Sequence, residues 1–288
     1  VSLAALIPGR ARDIDGVGLR RVLPATGRPM VGPFVFLDHL GPVTLGAGRG
    51  LDVRPHPHIA LATLTYLYAG VFVHRDSLGF TQEIRPGELN WMTAGRGIVH
   101  SERSPPEARA EGPTLHGLQS WVALPDGFED VEPDFSHHPA SALPALEVGG
   151  VNLTVVAGEA FGRKSPAPTL WPTLYVDAVM PGGSTLELGP EHVERAAYVA
   201  QGDLRIDGTA VPAGTLAVLE EGRTAQLFAA ASARVMLLGG ERFPTPRYLW
   251  WNFVASNRER IETAKRDWRE GRFAAVPGET EFIPLPPD

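Results

Sequence analysis

The chain has 288 residues, enough for two domains of ordinary size, and 43% of them are hydrophobic, as expected of a globular protein with a sizeable core. A formal charge of −7 without any Lys/Arg block advertises no phosphate-tracking surface, so no direct contact with nucleic acid is expected. The absence of cysteine excludes disulfides, thiolate metal sites and a cysteine nucleophile, so any metal must be held by His and carboxylate.

The apolar stretch Val1–Ile7 is too short for the h-region of a signal peptide and has no basic segment before it. No run of about eighteen apolar residues occurs anywhere, so no membrane span and a cytoplasmic location are expected. Glycine (32) and proline (27) are spread along the chain, the composition of many short strands joined by tight turns. From Leu61 to Ile84, β-branched or aromatic residues alternate with polar or small ones around a turn at Arg75-Asp76-Ser77-Leu78-Gly79, which reads as a hairpin or meander. Arg85-Pro86-Gly87-Glu88 supplies another turn, Leu89–Met92 another strand, and Gly95-Arg96-Gly97 a turn into Ile98–Glu102. Short strands at this spacing imply a barrel or a sandwich. Leu124-Pro125-Asp126-Gly127 and the Pro-, Asp- and Ser-rich stretch Glu132–Pro144 mark a connection, placing a boundary near Glu132 between domains 1–132 and 133–288.

A comparable block of turn chemistry then returns: Ala197–Val199, Leu204–Ile206, a turn at Asp207-Gly208, Val211–Gly214 and Leu216–Leu219. Near the C-terminus Ser256 and Glu259 have the spacing of a capping box, and Gly271 stands beyond the last turn of the helix they would open. Ile261, Ala264 and Trp268 form its apolar stripe, and Glu262 and Arg266 are spaced as a supporting i,i+4 pair. This helix is expected to brace the fold and to carry no site.

Two histidine-rich pairs carry the chemistry. His56-Pro57-His58 and His100-Ser101-Glu102 each place two ligand types at i,i+2, a spacing that puts both side chains on one face of a strand. Two neighbouring strands would aim three imidazoles and one carboxylate at one point. That donor set carries a single negative charge and suits Fe²⁺, Mn²⁺, Co²⁺, Ni²⁺, Cu²⁺ or Zn²⁺. Four ligands leave up to two octahedral positions open, as catalysis needs, whereas a structural zinc site is closed and tetrahedral.

These motifs resemble those of the pirin family. The resemblance runs through Gly32-Pro33-Phe34-Val35-Phe36-Leu37-Asp38, His56-Pro57-His58, His74-Arg75-Asp76-Ser77-Leu78-Gly79 and Arg85-Pro86-Gly87. It continues through Trp91–Glu102, His116-Gly117-Leu118-Gln119-Ser120-Trp121-Val122 and Trp251-Asn252-Phe253-Val254, so that nearly the whole chain is covered. It implies an all-β bicupin, two jelly-roll-like barrels in tandem closed by a C-terminal helix. It also implies one divalent metal per chain in the N-terminal barrel, held by His56, His58, His100 and Glu102, with iron(II) the expected ion. One stretch departs from the family, which often continues after His-Pro-His with Arg-Gly-Phe-Glu where this chain has Ile59-Ala60-Leu61-Ala62. Loss of an Arg and a carboxylate there bears on the polarity around the metal, and through it on redox tuning and substrate choice.

The remaining histidines are read as follows. His74 belongs to a hairpin turn or the surface rather than to the ligand set; His116 and Gln119 are candidate hydrogen-bond partners behind the ligands, with His116 equally readable as a satisfied core histidine. His39 serves packing, and His137-His138 form a solvated pair in the linker. His192 is the only histidine assigned to the second barrel, which is expected to bind no metal. The resemblance implies a flavonol (quercetin) 2,3-dioxygenase that cleaves a metal-bound flavonol with dioxygen, with Glu102 as ligand and general base in one. The alternative it carries is an iron-dependent redox-sensing regulator that binds a protein partner.

Overall fold

Alternating burial marks a strand with one wet face, and Ala225–Ala229 shows it residue by residue, whereas Leu89–Thr93 is buried on both faces. The computed structural model describes residues 2–14 and 16–287 and is mostly β, with α-helix at Pro106–Glu111 and Arg258–Arg269. Val1, the first residue of the stretch weighed as a leader, lies outside the described residues. No described helix is long and apolar enough to cross a membrane.

The chain divides into two compact cupin units built from interleaved segments. One comprises the chain up to Ala11, Arg20–His39 and Ser141–Phe243; the other comprises Arg12–Leu19, Leu40–Ala140 and the chain from Pro244 onward. Local sequence pattern cannot show this interleaving, because it rests on pairings such as Leu3–Pro8 against Thr215–Leu219, some two hundred residues apart. In the unit holding Ser141–Phe243, an extended sheet and the four-stranded sheet of Ser184–Leu188, Ala225–Ala229, Leu204–Ile206 and Thr209–Val211 enclose an aliphatic core. Val155, Val176, Leu186, Leu204, Leu227 and Leu237 are all fully buried there. The strands expected around Ala197–Val199, Leu204–Ile206 and Leu216–Leu219 are present. His192 is not alone in this unit, since His39 belongs to it and is buried with Nδ1 2.7 Å from the Tyr198 hydroxyl.

In the other unit a four-stranded sheet runs in the order Asp52–His58, Ile98–Arg103, Phe72–Asp76, Thr81–Ile84. Facing it is a sheet ordered Asp134–His138, Leu89–Thr93, Leu61–Ala69, Thr114–Ala123. Leu67 and Leu115 of one sheet meet Phe72 and Ile84 of the other in a common core. The turn into the Ile98–Arg103 strand requires glycine at position 95, where φ is +51° and a Cβ would stand 2.0 Å from the Val131 carbonyl oxygen.

Two local expectations are corrected. His137-His138 are not loop residues: they end the strand Asp134–His138, and His137 Nδ1 lies 2.8 Å from Asn90 Oδ1 on the neighbouring strand. Proline and serine around them marked a connection, and pairing with Leu89–Thr93 overrode that signal. The helix is capped one residue later than the capping box implies. The Asn257 side chain accepts from Arg260 N, while Ser256 is diverted to Glu129, donating from both N and Oγ. Glu262 pairs with Lys265 at i,i+3, and Arg266 turns to Thr263, so the expected Glu262–Arg266 pair does not form. The brace itself is real: Ile261 and Ala264 pack on Phe253, Ala255 and Ile59, the residue that follows His58.

Candidate metal centre

Antiparallel pairing of Asp52–His58 with Ile98–Arg103 sets His100 opposite His56 and Ile98 opposite His58. A bulge follows, so that Glu102 pairs with Val53 rather than Arg54, a local twist that re-aims side chains. His56, His58 and His100 are all buried, and one nitrogen of each lies within 4.8 Å of the others; among the described residues this is the only such grouping. The outer face of the second strand is also covered, with Ser101 and Arg103 bonded to Glu279.

The rings are oriented from behind. Nδ1 of His56 lies 2.8 Å from the Arg54 carbonyl oxygen, Nδ1 of His58 3.1 Å from that of Asn252, and Nδ1 of His100 3.4 Å from His74 Nδ1. A carbonyl only accepts, so His56 and His58 carry their protons on Nδ1 and present bare Nε2 lone pairs inward. The Nε2 atoms of His58 and His100 are 3.2 Å apart. Two nitrogens bound at about 2.1 Å to one metal, at octahedral to tetrahedral angles, stand about 3.0–3.4 Å apart, so the spacing fits a shared ion. Burial lowers the pKa of His56 to about 4, against a raising pull from the Arg54 carbonyl, and burial chiefly holds His58 and His100 well below the usual imidazole range. Neutral imidazoles converging in a buried cluster are the protonation state that metal binding requires.

Glu102 is two residues from His100 on the same strand and is buried, but it is not in the three-residue grouping. Burial raises its carboxyl pKa, opposed by a hydrogen bond from Thr65. Thr65 Oγ1 lies 2.7 Å from Glu102 Oε1 and 2.9 Å from Gln119 Oε1. One hydroxyl proton serves one acceptor, so the Gln119 amide satisfies the chain when turned with its NH₂ toward Thr65. Gln119 thus stands behind Glu102 through Thr65. His116 is buried with its ring edge-on to Tyr68, centroids 4.8 Å apart.

The departure from the family pattern lies to the side of the ligands. Thr65 faces Glu102, so the odd-numbered residues of Leu61–Ala69 point inward and Ala62 points to the opposite face. Ile59 packs with Phe253 and the C-terminal helix. The missing Arg and carboxylate therefore do not strip polarity from the ligand cluster. Ala60 takes φ +53°, the left-handed region that favours the glycine often found there in the family.

Three contributors to the site are not assigned to it from the sequence. His74, read as a turn or surface residue, is buried with its ring stacked on Phe135 and its Nε2 2.8 Å from Asp76 Oδ2. The His-x-Asp spacing on a strand, the same i,i+2 signal as in the ligand pairs, is what could have revealed it. Thr65 lies among apolar residues and carries no motif. Trp121 sets its indole edge-on to His58, centroids 4.9 Å apart.

A two-barrel cupin with a buried tri-histidine cluster in one barrel is the class these features define. The family model described as pirin matches residues 16–122, and that of the pirin C-terminal cupin domain matches residues 175–274. The chain belongs to the pirin family. It is 47% identical over 281 residues to a pirin-like protein of Caulobacter vibrioides, covering 96% of this chain and 97% of that one. It is 41% identical over 268 residues to a Pseudomonas aeruginosa protein provisionally named a quercetin 2,3-dioxygenase, covering 92% and 83% respectively. Its structure resembles that of quercetin 2,3-dioxygenase from Acinetobacter baumannii with a TM-score of 0.91 and 37% identity, covering 99% of this chain and 96% of that one.

Proposed function

We propose that the protein is a metal-dependent dioxygenase acting on flavonol-type substrates, in which His56, His58, His100 and Glu102 hold one divalent metal, iron(II) being the expected ion. The observation that carries this reading is the inward convergence of three buried imidazole Nε2 atoms, each fixed from behind through Nδ1. The names of the Pseudomonas and Acinetobacter relatives support the substrate class. A bound divalent ion supplies open positions and Lewis acidity that stabilise the anion of a hydroxyl beside a carbonyl. The chain supplies the rest. Glu102 accepts the enolic proton, in a pocket where burial already favours its protonated form. Thr65 orients the carboxylate by its hydrogen bond, and Trp121 walls the His58 side of the cluster.

The test is to incubate iron-loaded protein with quercetin in air and follow the flavonol absorption band together with oxygen uptake. Loss of the band with matching oxygen consumption is expected. A fully metallated protein that binds quercetin without turnover would overturn the enzymatic reading and favour a metal-dependent regulator with a protein partner.

A further inference from the structure

The three groups that hold the ligand imidazoles from behind are not alike. Two are backbone carbonyls, of Arg54 and Asn252, and the third is the side chain of His74. His74 and Asp76 occupy i and i+2 of the strand Phe72–Asp76, directly opposite Glu102 and His100 on the ligand strand. Asp76 is fully buried. Its Oδ1 accepts the backbone N–H groups of Leu78 (2.9 Å) and Phe80 (3.1 Å), and its Oδ2 faces His74 Nε2 at 2.8 Å. A carboxylate only accepts, so Nε2 of His74 carries a proton, and in the neutral ring Nδ1 is then a lone pair. That lone pair faces His100 Nδ1 at 3.4 Å, which makes His100 the donor and leaves His100 Nε2 bare, pointing at His58.

We propose that Asp76 and His74 form a positioning relay that sets His100 in its Nδ1–H form and so raises the affinity of the cluster for metal. The inference rests on the metal-site reading above. An outer hydrogen bond fixes the tautomer, orients the ring and raises ligand basicity, and losing one costs about 10–100-fold in metal affinity. His74 is the one of the three tethers made by a side chain, and so the one a substitution can remove without touching backbone.

Three variants separate this role from packing. His74→Phe keeps a ring against Phe135 but removes the acceptor. Asp76→Asn is isosteric; its remaining oxygen is claimed by Leu78 and Phe80, so its NH₂ faces His74, reverses that ring and leaves His100 without an acceptor. His74→Asn returns an oxygen near the place of Nδ1. Zinc affinity, measured by competition with a chromophoric chelator, is expected to fall about 10–100-fold in the first two and to recover largely in the third. Nitrogen-15 spectra of the His100 ring in wild type are expected to show the proton on Nδ1, with and without zinc. A ring protonated on Nε2, or folded His74→Phe and Asp76→Asn proteins that bind zinc within about twofold of wild type, would overturn the relay. The metal-site reading fails separately, on a wild type that takes up no zinc, and the metal-free spectrum still decides the tautomer in that case.

Discussion

His56 links the ligand cluster to the stability of the metal-free protein. Burial lowers its imidazole to about 4 from 6.5, and the Arg54 carbonyl pulls the other way. Between those values the unfolded chain binds a proton that the folded protein refuses. Stability is therefore complete above about pH 6.5 and is lost as the pH falls toward 4. A shift of this size is worth about 3 kcal/mol in full and about 2 kcal/mol between about pH 7 and about pH 5. His58 and His100, also lowered chiefly by burial, act in the same direction. Glu102 opposes them, because a carboxyl raised by burial binds more protons folded than unfolded and so gains stability as the pH falls. Urea unfolding of chelator-treated wild type and His56→Gln at about pH 7 and about pH 5 isolates the His56 contribution from the titration of the rest of the chain. The drop in unfolding free energy is expected to be about 2 kcal/mol smaller in the variant. Equal drops in the two proteins would refute the assignment of His56 as a neutral buried imidazole. Saturating zinc should suppress the drop in wild type, since a coordinated nitrogen cannot take the proton.

At saturating metal, Glu102→Gln should lower flavonol turnover by about 10²–10⁴-fold, the usual contribution of a general base, and a wild-type rate would reduce Glu102 to a ligand at most. His58→Ala should lose most of its metal by elemental analysis while keeping the wild-type circular dichroism spectrum, because aliphatic and aromatic packing holds the strands; unchanged metal content would refute the ligand set. Wild type should hold close to one metal per chain, and a second equivalent lost on changing His192 would contradict the aliphatic interior of the other barrel. Thr65→Val, isosteric but without the hydroxyl, should destabilise the metal-free protein by about 1–3 kcal/mol and raise the Glu102 pKa further, read from the pH dependence of turnover.

What the residues alone determine here is whatever depends on short separations. Period-two geometry puts His56 with His58, and His100 with Glu102, on common faces, whatever lies elsewhere in the chain. Turn chemistry at Gly95-Arg96-Gly97 ends one strand and starts the next, and the lack of cysteine confines metal binding to nitrogen and oxygen. The long run of pirin-like motifs extends this reading to the two-barrel fold. Only the tertiary structure decides that the two ligand strands are neighbours in a register that sets His100 against His56. It alone brings the Asn252 carbonyl, 194 residues along the chain, behind His58, and seats His74 and Asp76 in the interior. It also moves the helix cap to Asn257, because Ser256 meets Glu129 from a distant segment, and it draws His137 and His138 into a strand. Each of these depends on which segments pack together. A side chain's partners across a sheet are set by long-range register and closure of the core, to which local propensity contributes little.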